Sequence, residues 1–395
     1  TRNFSIDYRT DSQSPLINSQ VMAYWNQTKM SEARVSDGRD DKTELDVLGL
    51  NINNLSMLGD IALLYGIDGY QESFDTNRGG VNRPVPPDAT TQVWGGFVQA
   101  TIPFASVWSL ELGARYDSFT TEAKNLNQDR SDNDLSPSVA LTWQAANWIS
   151  MTLRHDRAFR APSSEELYSS GAHFCMGPGF CNTFLPNPEL SSEQAANTEF
   201  LVNMQFNELV GGDTLTINAS VFENNVDDFI EQIVTSPTFF PVMSAGNTTW
   251  INVDEAEIKG YELVAQYQRG SFAMTLAYGR SRGEDKKTSE DLTDIPADTL
   301  SADVNYRFMH NQLVTGVRLI SADDQNQTDY SENVLNNRYE DYSVVDLYAS
   351  WQPAKFKALR VDLTVNNITD KHYRRAWSEL DESGREVIVS AKYKF

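Results

Sequence analysis

The chain has 395 residues, with 32 Lys and Arg against 55 Asp and Glu, a net charge of −23. That balance excludes the basic surface that phosphate needs, so nucleic acid is not an expected partner. Two cysteines cannot build a disulfide scaffold, and no run of about eighteen consecutive apolar residues marks a transmembrane helix.

From its first residues, TRNFSIDYRT, the chain alternates with period two. It has no initiating Met, which reads as a processed chain or a fragment. About seventeen segments carry this alternation, over 2–9, 19–30, 43–53, 58–72, 91–103, 107–122, 134–144, 147–158, 193–207, 213–235, 248–268, 271–284, 296–307, 312–324, 341–352, 357–373 and 386–395. In the sixth, Leu110, Leu112, Ala114 and Tyr116 oppose Glu111, Gly113, Arg115 and Asp117. In the sixteenth, Leu359, Val361, Leu363 and Val365 oppose Arg360, Asp362, Thr364 and Asn366. No helix longer than about two turns and no fixed-period repeat is legible.

The connections alternate in length. Short ones, such as 104–106, 144–147, 268–270 and 309–311, fall between long polar ones at 31–42, 73–90, 123–133, 159–192, 236–247, 285–295, 325–340 and 374–385. Many strands run roughly 10–16 residues, enough to cross a bilayer at a tilt, whereas those of a soluble sandwich average about five or six. One face is apolar and the other carries Glu, Arg, Asp and Asn, which a watery lumen accepts and a packed core does not. The expected fold is all-β: an antiparallel meander of a transmembrane barrel, with short periplasmic turns and long extracellular loops. The last segment puts Val387, Val389, Ala391, Tyr393 and Phe395 on one face, like a C-terminal insertion signal of outer-membrane barrels.

The longest interval without strand pattern runs from Phe159 to Leu190 and holds both cysteines and one of four histidines. Cys175 and Cys181 bracket Met176-Gly177-Pro178-Gly179-Phe180, a tight turn able to join the two sulfurs. A metal pair is the competing reading, although a second pair of zinc type is absent. His173 offers an imidazole, a strong metal ligand, beside the rings of Tyr168, Phe174, Phe180 and Phe184 and the thioether of Met176. His155, His310 and His372 read as structural or solvent-facing. The acidic stretch 36–41 matches no calcium loop.

Phe159-Arg160-Ala161-Pro162 after one strand and Asn187-Pro188-Glu189-Leu190 before the next resemble the FRAP-type and NPxL-type boxes of TonB-dependent outer-membrane receptors. Gly96-Phe97-Val98-Gln99 and Asn367-Ile368-Thr369-Asp370-Lys371 with Tyr373 agree with that resemblance, which covers essentially residues 1–395 as one barrel domain. It implies about 17 of the family's 22 strands, with the plug and the first strands absent. In the haem and haemoglobin receptors of this family, a histidine between the two boxes is an axial haem ligand, and His173 occupies that interval; the resemblance implies that Tyr168, Phe174, Phe180 and Phe184 could cover the porphyrin, with Met176 nearby.

The resemblance therefore implies a bacterial outer-membrane receptor for TonB-energised uptake of haem, free or from haemoproteins. Haem is the transported ligand, and no intrinsic cofactor is implied. TonB would be engaged through the missing N-terminal region, and lipid and lipopolysaccharide would surround the barrel. A siderophore or cobalamin receptor is the alternative, and a passive channel is disfavoured by the two boxes. No nucleophile–base set, phosphate loop or metal constellation points to an enzyme. Apart from the family, Arg160 is expected to pair with a lumen or plug carboxylate, and Pro162 and Pro188 to stiffen the loop ends.

Overall fold

The computed structural model describes residues 1–10, 12–36, 38–124, 126–326, 339–378 and 380–394. Twenty strands lie within them. The first ten are β1 (Arg2–Arg9), β2 (Ser19–Arg34), β3 (Arg39–Leu58), β4 (Ile61–Asn77), β5 (Pro84–Val85), β6 (Ala89–Phe104), β7 (Trp108–Ala123), β8 (Gln128–Ala146), β9 (Ile149–Arg160) and β10 (Ser170–Gly177). The rest are β11 (Phe180–Phe184), β12 (Glu193–Asn207), β13 (Asp213–Val234), β14 (Asn247–Arg269), β15 (Phe272–Asp285), β16 (Thr299–Phe308), β17 (Leu313–Ala322), β18 (Tyr342–Trp351), β19 (Leu359–Asn366) and β20 (Glu386–Tyr393). One helix, α1, spans Ser164–Tyr168.

Setting aside the short β5, β10 and β11, the strands form an antiparallel meander in which each pairs with the next. The expected all-β meander is therefore observed. Among the described residues, β1 pairs only with β2 and β20 only with β19, so the sheet has two edges. Phe395 and Asp37, named above for the terminal signal and the acidic stretch, lie outside the described residues, as does most of the loop at 325–340.

Period-two alternation becomes two chemically different faces. Leu112, Tyr116, Leu135, Leu153, Val221, Tyr261, Val304 and Val317 stand exposed on one of them. A soluble protein would not display so wide an apolar surface, whereas lipid favours it. The other face is laced with ion pairs. Arg115 donates to both oxygens of Asp68 at 2.8 Å and to Asp117, and Arg318 meets Asp303 at 3.5 Å. Gly95 makes room for this network, since a Cβ there would fall 2.1 Å from Arg115 Nη2.

Strands join by tight turns at one end, as at 59–60, 147–148 and 270–271, and mostly by long segments at the other. Two expected loops are much shorter than the sequence suggests. The ladders of β2–β3 and β7–β8 continue to Arg34↔Arg39 and Ala123↔Gln128, because backbone pairing tolerates the polar side chains of those tips. Strand β19 in turn stops at Asn366, short of 373: Asn367 and Asp370 adopt φ 48° and 56°, and the Asn367 amide donates to Lys371 O at 2.7 Å. Such left-handed turns suit Asn and Asp. Strands β13 and β14, with 22 and 23 residues, far exceed the 9–11 that cross a bilayer. Their surplus rises at the long-loop end, where small apolar clusters form, one of them Val226, Ala256, Leu292 and Ile295. No helix among the described residues is long and apolar enough to cross a membrane, which says nothing about strands.

Candidate functional site

The segment between β9 and β12 is ordered by its own sequence. Ser163 caps α1 by accepting from Glu166 N, and the Glu166 carboxylate accepts from Ser163 N at 2.7 Å, a capping box. Pro162 before the cap is buried, its fixed φ suiting the entry to the helix. Arg160 then joins three pieces of chain. Its Nε and Nη2 donate to Glu193 at 2.6 and 2.7 Å, and its Nη1 donates to both Glu166 oxygens at 3.0 Å. Its partners are thus local carboxylates at the two ends of the loop. Phe159 and Arg160 sit opposite Gln194 and Glu193 in the β9–β12 ladder.

The second box closes the same unit. Asn187 donates its backbone N–H to Leu167 O at 3.0 Å and its side-chain amide to Trp250 O at 2.9 Å. Glu189 N donates back to Asn187 Oδ1 at 3.3 Å, and Pro188 O accepts from Arg130. Leu190 is wholly buried with Leu167, Tyr168, Ala123 and Ile230, against Trp250. Ala161 is half-buried between the helix and its strand. The boxes thus build a small core on which the rest of the loop stands. Tyr168 belongs to that core at 2% exposure, so its ring is unavailable to a ligand and the expected porphyrin contact is corrected. Burial also pushes its phenol above the ordinary pKa.

Above this base, β10 and β11 form a hairpin. Cys175 faces Cys181 in the ladder and their sulfurs are bonded at 1.96 Å. The ladder skips His173 and Met176, where register shifts mark bulges. A bulge frees a side chain from the alternation and re-aims it. Met176 is exposed, and Phe174 and Phe180 are half-buried.

The hairpin is moored on both sides. Gly171, at φ +82°, sits opposite Pro84 of β5, and Ala172 N donates to Arg83 O at 3.0 Å. Arg83 grips Asp41 with two bonds of 2.6 and 2.5 Å, and Gly79 N adds a third at 3.0 Å. The Arg83 guanidinium holds the Asp41 carboxyl down at about 2, against the opposing effect of burial. On the other side Thr183 and Phe184 pair in parallel with Asn247 and Thr248.

His173 is held by protein partners: its Nδ1 lies 2.8 Å from Oγ1 of Thr248, a fully buried residue, and its ring packs on Phe174 and Phe184 at centroid distances of 5.2 and 4.7 Å. Phe184 stacks in turn on Trp250 at 5.5 Å and 8°. The adjoining tip at 238–243 exposes Phe239, Phe240, Val242 and Met243, and Phe239 touches Phe180 at 5.9 Å. Its apolar run FFPV was readable as unusual for a loop. Thr248 and Asn182 carried no local signal. The other histidines lie apart: His155 meets Thr198 at 2.9 Å, His310 occupies the β16–β17 turn, and His372 meets Asp381 at 3.3 Å. Among the described residues no group of three or more His, Cys, Asp and Glu could hold a metal.

Residues 1–368 match the family described as "TonB dependent receptor-like, beta-barrel". The chain belongs to this family of TonB-dependent receptors. It is 32% identical to the heme/hemopexin utilization protein C of Haemophilus influenzae strain Rd, across 100% of this chain and 59% of that protein. The hemin receptor of Yersinia pestis is 24% identical over 96% of the chain and 55% of its own length. These 395 residues thus span little more than half of these receptors. Among solved structures, a double mutant of the Serratia marcescens hemophore receptor HasR, in complex with its hemophore HasA and heme, superposes with a TM-score of 0.78 at 20% identity. That match covers 100% of this chain and 65% of that receptor. At such identity the likeness is one of fold: the meander is that of a TonB-dependent receptor barrel.

Proposed function

We propose that this chain is the barrel part of a bacterial outer-membrane receptor that takes up haem, free or from haemoproteins, with transport energised through TonB. Haem is the cargo, TonB is engaged by a part of the receptor outside these residues, and outer-membrane lipid and lipopolysaccharide surround the apolar face. The role is binding and transport, with no catalysis assigned. His173 is the axial ligand of the captured iron, with Phe174 and Met176 beside the porphyrin. The observation carrying this reading is the placement of His173: a bulged residue of a disulfide-closed hairpin, raised on the two boxes at the long-loop end. The printed names of the two sequence relatives support haem over other cargoes.

The test is His173→Ala in the full-length receptor. Haem binding and haem-dependent growth should fall while the barrel still assembles, because the hairpin contributes little to the sheet. A low-spin haem spectrum that disappears supports axial ligation. Unchanged haem uptake and spectrum would remove the haem assignment in favour of a siderophore or cobalamin receptor.

A further inference from the structure

His173 is tied into a chain of hydrogen bonds whose direction is set at its far end. The carbonyl oxygen of Ala245 only accepts, and the side-chain amide nitrogen of Asn182 donates to it at 3.3 Å. That contact orients the Asn182 amide, since the flipped form would set two acceptors face to face. Asn182 Oδ1 then accepts from Thr248 Oγ1 at 2.6 Å. A hydroxyl has one proton, and this one is committed. Thr248 Oγ1 can therefore only accept from His173 Nδ1, 2.8 Å away. Asn182 and Thr248 are both fully buried, so water does not compete for these bonds.

Resting on the haem reading above, we propose that Asn182 and Thr248 are positioning residues that hold neutral His173 as its Nδ1–H tautomer, making Nε2 the nitrogen that ligates haem iron. A neutral imidazole protonated at Nδ1 carries its lone pair on Nε2. In that form Nε2 offers its lone pair to iron without the ring losing a proton. Outer partners of ligating histidines act in this way, fixing the tautomer and the ring plane. The bulge at His173 is what turns the ring toward Thr248 across the hairpin.

The experiment uses the full-length receptor labelled with 15N-histidine, with His173 assigned by its loss in His173→Ala. Before haem is added, at a pH where the ring is neutral, Nδ1 should give the protonated and Nε2 the unprotonated signal. Thr248→Val, which keeps the shape and removes the hydroxyl, should shift the population toward the Nε2–H form and weaken haem binding by about 10–100-fold. Thr248→Ser should restore both. Asn182→Ala should mix the tautomers while leaving Thr248 in place. An Nε2–H tautomer in the unsubstituted receptor overturns the proposal, and so does a Thr248→Val receptor that binds haem normally. Loss of haem binding in Thr248→Val that Thr248→Ser fails to restore also overturns it. These outcomes are separate from the haem reading, which fails only if His173→Ala leaves haem binding intact.

Discussion

Replacing Cys175 and Cys181 together by Ser in the full-length receptor tests how the hairpin is kept in shape. The cysteines are six positions apart, so the bond closes a very short loop. The chain-entropy relation gives about 2.4 kcal/mol at 25 °C for a loop of this length, a ceiling of about 50-fold in the population of open hairpin. The other fasteners are unevenly placed. Strand β11 keeps its pairing to Asn247 and Thr248 and the bond from Leu185 N to Thr248 O at 2.8 Å. Among the described residues, strand β10 is held near its base, through its pairing with β5 and the bond from Ala172 N to Arg83 O, and by His173 itself. Loosening should therefore concentrate on 174–180. Amide exchange there should accelerate about 10–50-fold, and haem affinity should fall about 5–20-fold, since ordering the ligand loop then falls to the binding step. Exchange of β9 and β12 should be unaffected. Hairpin exchange within about two-fold of the unsubstituted receptor would show that ladder and ring packing, and not the bond, set the order, far below the entropy estimate.

The remaining expectations concern the base of the site and the edges of the sheet. Leu190→Ala empties a fully buried position beside Tyr168 and Ile230; proteolysis within 161–192 should rise by an amount corresponding to about 2–5 kcal/mol of local stability, with the barrel still assembled. Gly171→Ala sets a Cβ 2.2 Å from Arg83 O in a left-handed backbone, so the β5–β10 pair should open at a cost of about 1–3 kcal/mol, visible as faster exchange at 83–85 and 170–172. Asp41 has a folded pKa held down to about 2, so its clamp contributes fully above the ordinary carboxylate range and is lost as pH falls toward 2; exchange of 79–85 should speed up over that window and lose the dependence in Asp41→Asn. A polypeptide of these 395 residues alone leaves the outer edges of β1 and β20 unpaired, each lipid-facing amide costing several kcal/mol, so it should not give a heat-resistant barrel in detergent; a stable barrel from it would disprove the open-edge reasoning.

The sheet was legible because its signal is repeated and local. Seventeen alternating segments correspond to the seventeen strands of the meander, with spans that differ mostly by a few residues. The misses come from backbone chemistry that side-chain pattern does not encode. At 31–34, 39–42 and 128–133 the alternation fades into Asp, Arg and Ser, and the ladder continues regardless, because main-chain pairing does not require apolar partners. Asn367 does the reverse, ending β19 where Val365 still alternates, through a left-handed turn favoured by its own amide.

The site was legible only where its parts are neighbours in sequence. The boxes, the Gly-Pro-Gly turn and His173 all lie within 159–190, and their types alone suggested a braced loop. What each part does depends on residues far away. Tyr168 looked like a porphyrin contact by composition, but Ala123 and Ile230 enclose it from other strands. The partner of His173 comes from 75 positions further along the chain, and Thr248 looks like any strand threonine until β11 pairs in parallel with β14. Asn182 gains its meaning only when both its bonds are seen together. A single reversed amide would donate to Thr248, send the hydroxyl proton to Nδ1 and leave Nε2 protonated, with the residues and distances otherwise unchanged. Which nitrogen of His173 is proposed to ligate iron is thus a property of hydrogen-bond direction, which residue types by themselves do not specify and to which the Ala245 carbonyl contributes.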